Sequence, residues 1–165
     1  KEELNEKVRE LGNKISMDYE GKELIMVGVL KGGFIFLADL IRALKIPVEI
    51  DFISVSSYGN SSKSSGVVRI IKDIDVSITN KHVIIVEDIL DTGLTLSYVL
   101  EYLKRYRPAD LKVVTLLKKL GRNSQVKPDF VGFEIEDKFV IGYGLDYNEK
   151  YRNLPYVGWV RGELK

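Results

Sequence analysis

The sequence predicts an α/β protein: a mainly parallel twisted sheet flanked by helices, with a small strand-rich appendage. Three observations carry that reading. Short apolar runs alternate with stretches of helical period twice, within residues 23–55 and again within 82–117. The apolar runs at 23–30 and 82–86 each stop at glycines or acids, where a strand gives way to a turn. The last third holds short β-rich runs and a loop-rich tail.

Taken in order, residues 2–17 place Leu4, Val8, Leu11 and Ile15 at spacings of four and three, one apolar helical stripe. Residues 23–30 (ELIMVGVL) read as a buried strand, broken by Lys31, Gly32 and Gly33. Residues 34–44 (FIFLADLIRAL) read as a helix that stops ahead of Pro47. Residues 48–55 read as a strand in which Ile50 and Phe52 alternate with Glu49 and Asp51. The Ser- and Gly-rich stretch 54–66 cannot bury apolar area and is expected to move. Residues 67–80 look like a hairpin-like return. The second unit is a strand at 82–86, an acidic loop at 87–95, a helix at 96–106 ended by Pro108, and a strand at 112–117. Further short strands are expected at 130–135, 139–143 and 156–160. No internal repeat or linker divides the chain, so residues 1–165 are expected to form one domain.

Composition narrows the chemistry. Lys plus Arg is 25 and Asp plus Glu is 24, so no bulk charge draws the chain to nucleic acid or an acidic membrane. Without cysteine there is no disulfide and no thiolate metal site, which is compatible with a reducing cytoplasm. The lone His82 makes a histidine zinc site or a Ser-His-Asp triad implausible. No apolar run approaches the length of a membrane span, and no signal peptide is visible. The chain begins at Lys1, so a few preceding residues are expected to be missing. Catalysis must then rest on carboxylates, lysines, hydroxyls and backbone amides.

In open α/β sheets ligands bind beyond the carboxyl ends of the strands. Four loops leave such ends, at 31–33, 57–66, 87–95 and 118–127. The third is the most informative. Glu87 and Asp88 close the strand, and Asp91, Thr92, Gly93, Leu94 and Thr95 turn into a helix. Gly93 permits a backbone that other residues resist. Free N–H groups at a helix start, with the Thr92 and Thr95 hydroxyls, suit a phosphate. Carboxylates suit ribose hydroxyls or a hard cation. A plain capped helix after a core strand would also account for the turn, though not for three neighbouring carboxylates, which repel one another unless a cation or hydroxyls intervene.

The segment VIIVEDILDTGLTL resembles the signature by which type I phosphoribosyltransferases bind phosphoribosyl pyrophosphate (PRPP). Over nearly its whole length the chain resembles the hypoxanthine-guanine members. That resemblance implies the type I fold with a small strand-rich hood. It implies that Thr92, Gly93, Leu94 and Thr95 hold the 5-phosphate, that Glu87 and Asp88 face the ribose hydroxyls and a magnesium ion (Mg2+), and that Asp91 faces the base. Leu30, Lys31, Gly32 and Gly33 match the family's pyrophosphate loop, which carries a cis peptide between Leu30 and Lys31. Ser57 and Tyr58, with Gly59, match its closing lid.

Lys119, just beyond the strand at 112–117, matches the lysine that donates to the exocyclic oxygen of a 6-oxopurine. Its neighbours depart from the pattern: Lys118 stands for an acid and Leu120 for a proline. Residues 127–155 match most closely. There Phe139 would stack on the purine, Val140 would offer backbone groups to it, and Lys138 and Asp146 would complete that end. Asp146 would also bind the metal beside the pyrophosphate, and Arg152 would contact the pyrophosphate.

The implied reaction is purine salvage. PRPP and hypoxanthine or guanine, with xanthine as a further candidate, give IMP or GMP and pyrophosphate. Asp91 acts as general base and acid at the purine N7. The resemblance further implies a cytoplasmic homodimer or homotetramer. Adenine or orotate phosphoribosyltransferases, a PRPP-sensing regulator without catalysis, and a flavodoxin-like module with purely structural loops are the rival readings.

Overall fold

The computed structural model describes residues 1–57 and 68–160, with only the backbone of Ser57. Its main sheet has six strands: β1 Leu24–Leu30, β2 Glu49–Ser57, β3 Val68–Lys72, β4 His82–Leu90, β5 Asp110–Lys119 and β6 Phe130–Ile135. They lie in the order β3-β2-β1-β4-β5-β6, all neighbours parallel except β2 and β3. Three helices serve it: α1 Glu2–Asp18, α2 Phe34–Ala43 and α3 Leu94–Lys104.

The period of two in the apolar strands feeds both faces of the sheet. On one side Leu24 and Met26 of β1, with Ile84 and Val86 of β4, pack beneath α1 and α2 through Leu4, Val8, Leu11, Ile15, Phe36, Leu37 and Leu40. On the other, Ile25, Val27, Val29, Val83 and Ile85 pack beneath α3 through Leu96, Val99 and Leu103. All of these side chains are buried. The alternation therefore fixes the register, because a slip of one residue would exchange the two cores.

The expected elements are present, with shifted ends. The strand expected at 82–86 runs on to Leu90, and the one expected at 112–117 spans Asp110–Lys119. The two pair as far as Leu90 with Lys118. Glu87 and Asp88 therefore lie within a strand rather than in a loop, and Lys119 is the last residue of its strand rather than beyond it. Charge at a sheet's rim is compatible with continued pairing, so the apolar run ends before the hydrogen-bond ladder does. The return at 67–80 reduces to β3, which is antiparallel to β2. The strands expected at 139–143 and 156–160 shrink to β7, Val140–Ile141, and β8, Gly158–Trp159, a separate two-stranded sheet.

β1 lies between β2 and β4, so the chain leaves its carboxyl end in the opposite sense from β4. This is the switch point where a doubly wound sheet opens a crevice. It brings the turn after β1 beside the end of β4.

Candidate active site

The turn after β1 begins with a cis peptide between Leu30 and Lys31, as the resemblance implied. Gly32 then passes against Asp88: a Cβ on Gly32 would fall 1.8 Å from Asp88 Oδ2. From the other side a Cβ on Gly144, in the hood, would fall 2.2 Å from the Gly32 carbonyl oxygen. The turn is thus clasped between β4 and the hood, and only glycine fits in it.

Asp88 is buried, and its Oδ1 accepts the Ile89 N–H at 2.8 Å. Glu87 beside it is pushed well above the usual carboxylate range by burial, by the negative charge of Asp88, and by a hydrogen bond between the two side chains. Two crowded carboxyls of this kind are what a cation or ribose hydroxyls would relieve.

After β4 the chain turns at Gly93, which has φ of +74° and precedes α3. No side chain caps this helix, so its first N–H groups are unserved by a side-chain cap. The turn is braced from behind, where the Gln125 N–H donates to the Thr92 carbonyl at 3.0 Å. A Cβ on Gly93 would meet Ser124 Oγ at 2.6 Å. Leu94, at the start of α3, is half exposed.

Asp91 stands between β4 and this turn, and Lys119 Nζ lies 3.3 Å from its Oδ2. Two residues that the sequence did not single out join them. Arg122 Nε lies 3.3 Å from Asp91 Oδ1, and Asp137 Oδ1 accepts from Lys119 Nζ at 3.0 Å. Lys118, the residue before it, instead pairs with Glu134 at 2.7 Å on the neighbouring strand. Successive strand residues face opposite ways, so Lys119 and not Lys118 faces Asp91.

A second charged group forms where the hood meets the β1 turn. Lys31 Nζ lies 2.6 Å from Glu149 Oε2. Arg152 pairs with Asp146 at 2.9 Å and with Glu149 at 3.2 Å, and donates to the Gly144 carbonyl at 2.7 Å. Its Nε is buried without a hydrogen-bond partner, a donor left over for an anion. Asp146 belongs to this cluster and not to the one around Lys119. Glu149 also escaped the sequence reading; its spacing of three from Arg152 is the signal that could have found it.

Phe139 is half exposed, and its ring meets Tyr147 in a T-shaped contact with centroids 5.9 Å apart. Val140 opens β7 beside it. Lys138 does not join the Asp91 cluster; its Nζ pairs with Glu136 at 2.6 Å and sits over the Trp159 ring. Ser57 ends β2, and Tyr58 lies outside the described residues.

Magnesium can be tested against this donor set. Glu87, Asp88 and Asp146 offer the oxygen ligands that a hard cation wants. Among the described residues no three acids or histidines gather closely enough to hold a metal unaided. The set fits a cation that keeps waters and takes most of its ligands from a bound pyrophosphate, as magnesium does.

Comparison with known proteins agrees with this geometry. A family model described as a phosphoribosyl transferase domain matches residues 1–148. The hypoxanthine-guanine phosphoribosyltransferase of Bacillus subtilis (strain 168) is 55% identical over 159 residues, covering 95% of this chain and 88% of that protein. The enzyme of the same description from Lactococcus lactis is 49% identical, covering 99% and 89%. Among solved structures, a hypoxanthine phosphoribosyltransferase from Staphylococcus aureus superposes with a TM-score of 0.93 at 46% identity, covering 97% of this chain and 88% of that one. A switch-point crevice with an uncapped helix start, in a chain that shares its fold and about half its residues with these enzymes over nearly its full length, has one reading: the chain belongs to the phosphoribosyltransferase family, on its hypoxanthine-guanine branch.

Proposed function

We propose that the chain transfers the phosphoribosyl group of PRPP to N9 of hypoxanthine or guanine, releasing pyrophosphate and forming IMP or GMP. The observation that carries this reading is the pairing of Asp91 with Lys119 beside the uncapped start of α3. A carboxylate acceptor and an ammonium donor on neighbouring strand ends complement the N7–H and O6 edge of a 6-oxopurine lying between them.

The 5-phosphate sits at the turn 92–95, held by amides and the Thr92 and Thr95 hydroxyls. Lys31, the Gly32 amide and Arg152 receive the pyrophosphate and meet the charge that builds on it as the C1–oxygen bond loosens. Glu87, Asp88 and Asp146 would hold magnesium, which when bound neutralises the leaving group. N9 attacks C1 from the opposite face, and Asp91 takes the N7 proton, returning it in the reverse direction. Phe139 stacks on the ring and excludes water from one side. Ser57 and Tyr58 belong to the lid in this scheme.

We further propose one domain over residues 1–165, acting in the cytoplasm as a homodimer or homotetramer; the family supports this, and no helix among the described residues is long and apolar enough to cross a membrane. The test is an absorbance assay with PRPP, magnesium and each purine in turn. Guanine and hypoxanthine should be consumed, xanthine serves as a graded comparison, and adenine should not react. Efficient use of adenine would overturn the role of Lys119.

A further inference from the structure

Arg122 and Asp137 stand beside the base-binding groups with no part in the scheme above. With Asp91 and Lys119 they close a ring of alternating charge. Lys119 Nζ lies 3.3 Å from Asp91 and 3.0 Å from Asp137. Arg122 lies 3.3 Å from Asp91 and 2.6 Å from Asp137. Each carboxylate faces the two cations with separate oxygens. The ring joins three places in the chain: the end of β4, the end of β5 with its following turn, and the residue pair after β6.

The reaction sets this ring a problem. A purine edge must enter between Asp91 and Lys119, which in the free protein attract each other. An ion pair that opens with nothing in reserve leaves two uncompensated charges, and the loss is greatest for the less hydrated one. Here that group is Lys119, whose side chain is 13% exposed against 43% for Arg122 and Asp137. The ring supplies the reserve. The aligned hydrogen bond of Lys119 runs to Asp137, whereas its approach to Asp91 is a looser ion pair. Asp91 Oδ1 is buried and accepts no aligned hydrogen bond, with the Arg122 ion pair beside it at 3.3 Å, so it keeps room to accept from a purine. Asp137 is held below the usual carboxylate range, first by the hydrogen bond from Lys119, and so stays an anion at neutral pH.

Resting on the proposed function, we infer that Asp137 and Arg122 are positioning residues: they hold Lys119 and Asp91 individually, so that the pair can part for a purine without either charge losing its partner. Without Asp137, Lys119 would collapse onto Asp91 and the two base-reading groups would quench each other. Neither residue touches the purine in this account.

Steady-state kinetics on Asp137→Asn, Asp137→Glu and Arg122→Gln test the inference, with thermal melts to confirm folding. Asp137→Asn should raise the KM for guanine about 10-fold while leaving the KM for PRPP within about twofold, and Asp137→Glu should recover most of the loss. Arg122→Gln should act in the same direction, and the double variant should fall short of the summed effects, as members of one network do. An unchanged guanine KM in folded Asp137→Asn, or an equal rise in both KM values, would overturn the inference. A wild-type protein inert toward guanine and hypoxanthine would refute the proposed function instead, so the two failures are told apart by the control.

Discussion

A methyl group added at Gly32 measures how tightly the pyrophosphate turn is locked to the acid pair. In Gly32→Ala the new Cβ falls 1.8 Å from Asp88 Oδ2 and 2.6 Å from its Cγ. Ordinary contact is about 3.5 Å, so the turn and the carboxylate must separate by roughly 1.7 Å. Neither side can yield freely. Asp88 is 8% exposed and its Oδ1 is tied to the Ile89 N–H, while the Gly144 backbone closes off the far side of the turn. A displacement on the order of 1 Å at a reacting site costs about 100-fold, or about 2.7 kcal/mol of barrier. We therefore expect kcat/KM for PRPP to fall about 100-fold in Gly32→Ala, with a lower melting temperature as well because the overlap is relieved only by strain around a buried carboxylate. Adding Asp88→Ala removes the atoms in conflict, so Gly32→Ala should then cost little beyond Asp88→Ala alone. Activity of the single variant within about threefold of wild type would refute the locked-turn argument, as would strictly additive losses in the pair.

Three other perturbations address separate parts of the site. Asp91→Asn keeps the shape but removes the proton acceptor; kcat should drop by roughly 100-fold or more with the KM for PRPP nearly unchanged, and a near-normal rate would remove Asp91 from proton transfer. Glu149 now faces the two cations that the pyrophosphate must reach, at 2.6 Å from Lys31 and 3.2 Å from Arg152. Both Lys31 and Glu149 are well exposed, so their pair is weak, and Glu149→Gln should lower the KM for PRPP by only about two- to fivefold; a rise would mean that Glu149 aids binding. Glu87 carries a pH signature. Its raised value favours the protonated form in the folded chain, so stability is lost as pH climbs from the ordinary carboxylate range through the raised value. Melts across pH 4 to 8 should show that decline in the wild type, and Glu87→Gln should flatten it and melt higher at neutral pH, with no difference in slope counting against the crowded pair.

Most of the sheet was readable because its strands carry strong local signals. The apolar runs in β1 and β4 and the stripe Leu4, Val8, Leu11 and Ile15 declare buried faces without reference to anything distant. Strand ends were less legible. Glu87 to Leu90 and Lys118 to Lys119 continue the ladder through pairing with each other, and such pairing belongs to two segments at once. The site divides the same way. Asp91, Thr92, Gly93 and Thr95 lie in one short motif, and the turn geometry follows from local chain requirements. Asp137, Arg122 and Glu149 are ordinary exposed charges in the sequence, and the first two acquire meaning only when three strand ends meet. Lys138 errs in the opposite direction. Its neighbours Phe139 and Val140 suggested the purine pocket, yet its ammonium turns to Glu136 and Trp159.

Charge within the crevice follows one rule that the bulk composition hides. The net charge is +1, which offers little long-range attraction for an anionic substrate. The cations expected to meet substrate are each already held by a carboxylate: Lys31 by Glu149, Arg152 by Asp146 and Glu149, Lys119 by Asp91 and Asp137. On the proposed scheme, substrate groups would replace some of these carboxylates rather than fill an open positive pocket. Exchange of this kind keeps each cation oriented before binding, which preserves preorganisation. It also limits affinity, because each new contact displaces an old one. For an enzyme that must release pyrophosphate as well as accept it, a returning Glu149 carboxylate would supply a route for the product to leave. A Glu149 that competes with pyrophosphate on entry would in the same way speed its departure, so Glu149→Gln should trade a lower KM for PRPP for slower release.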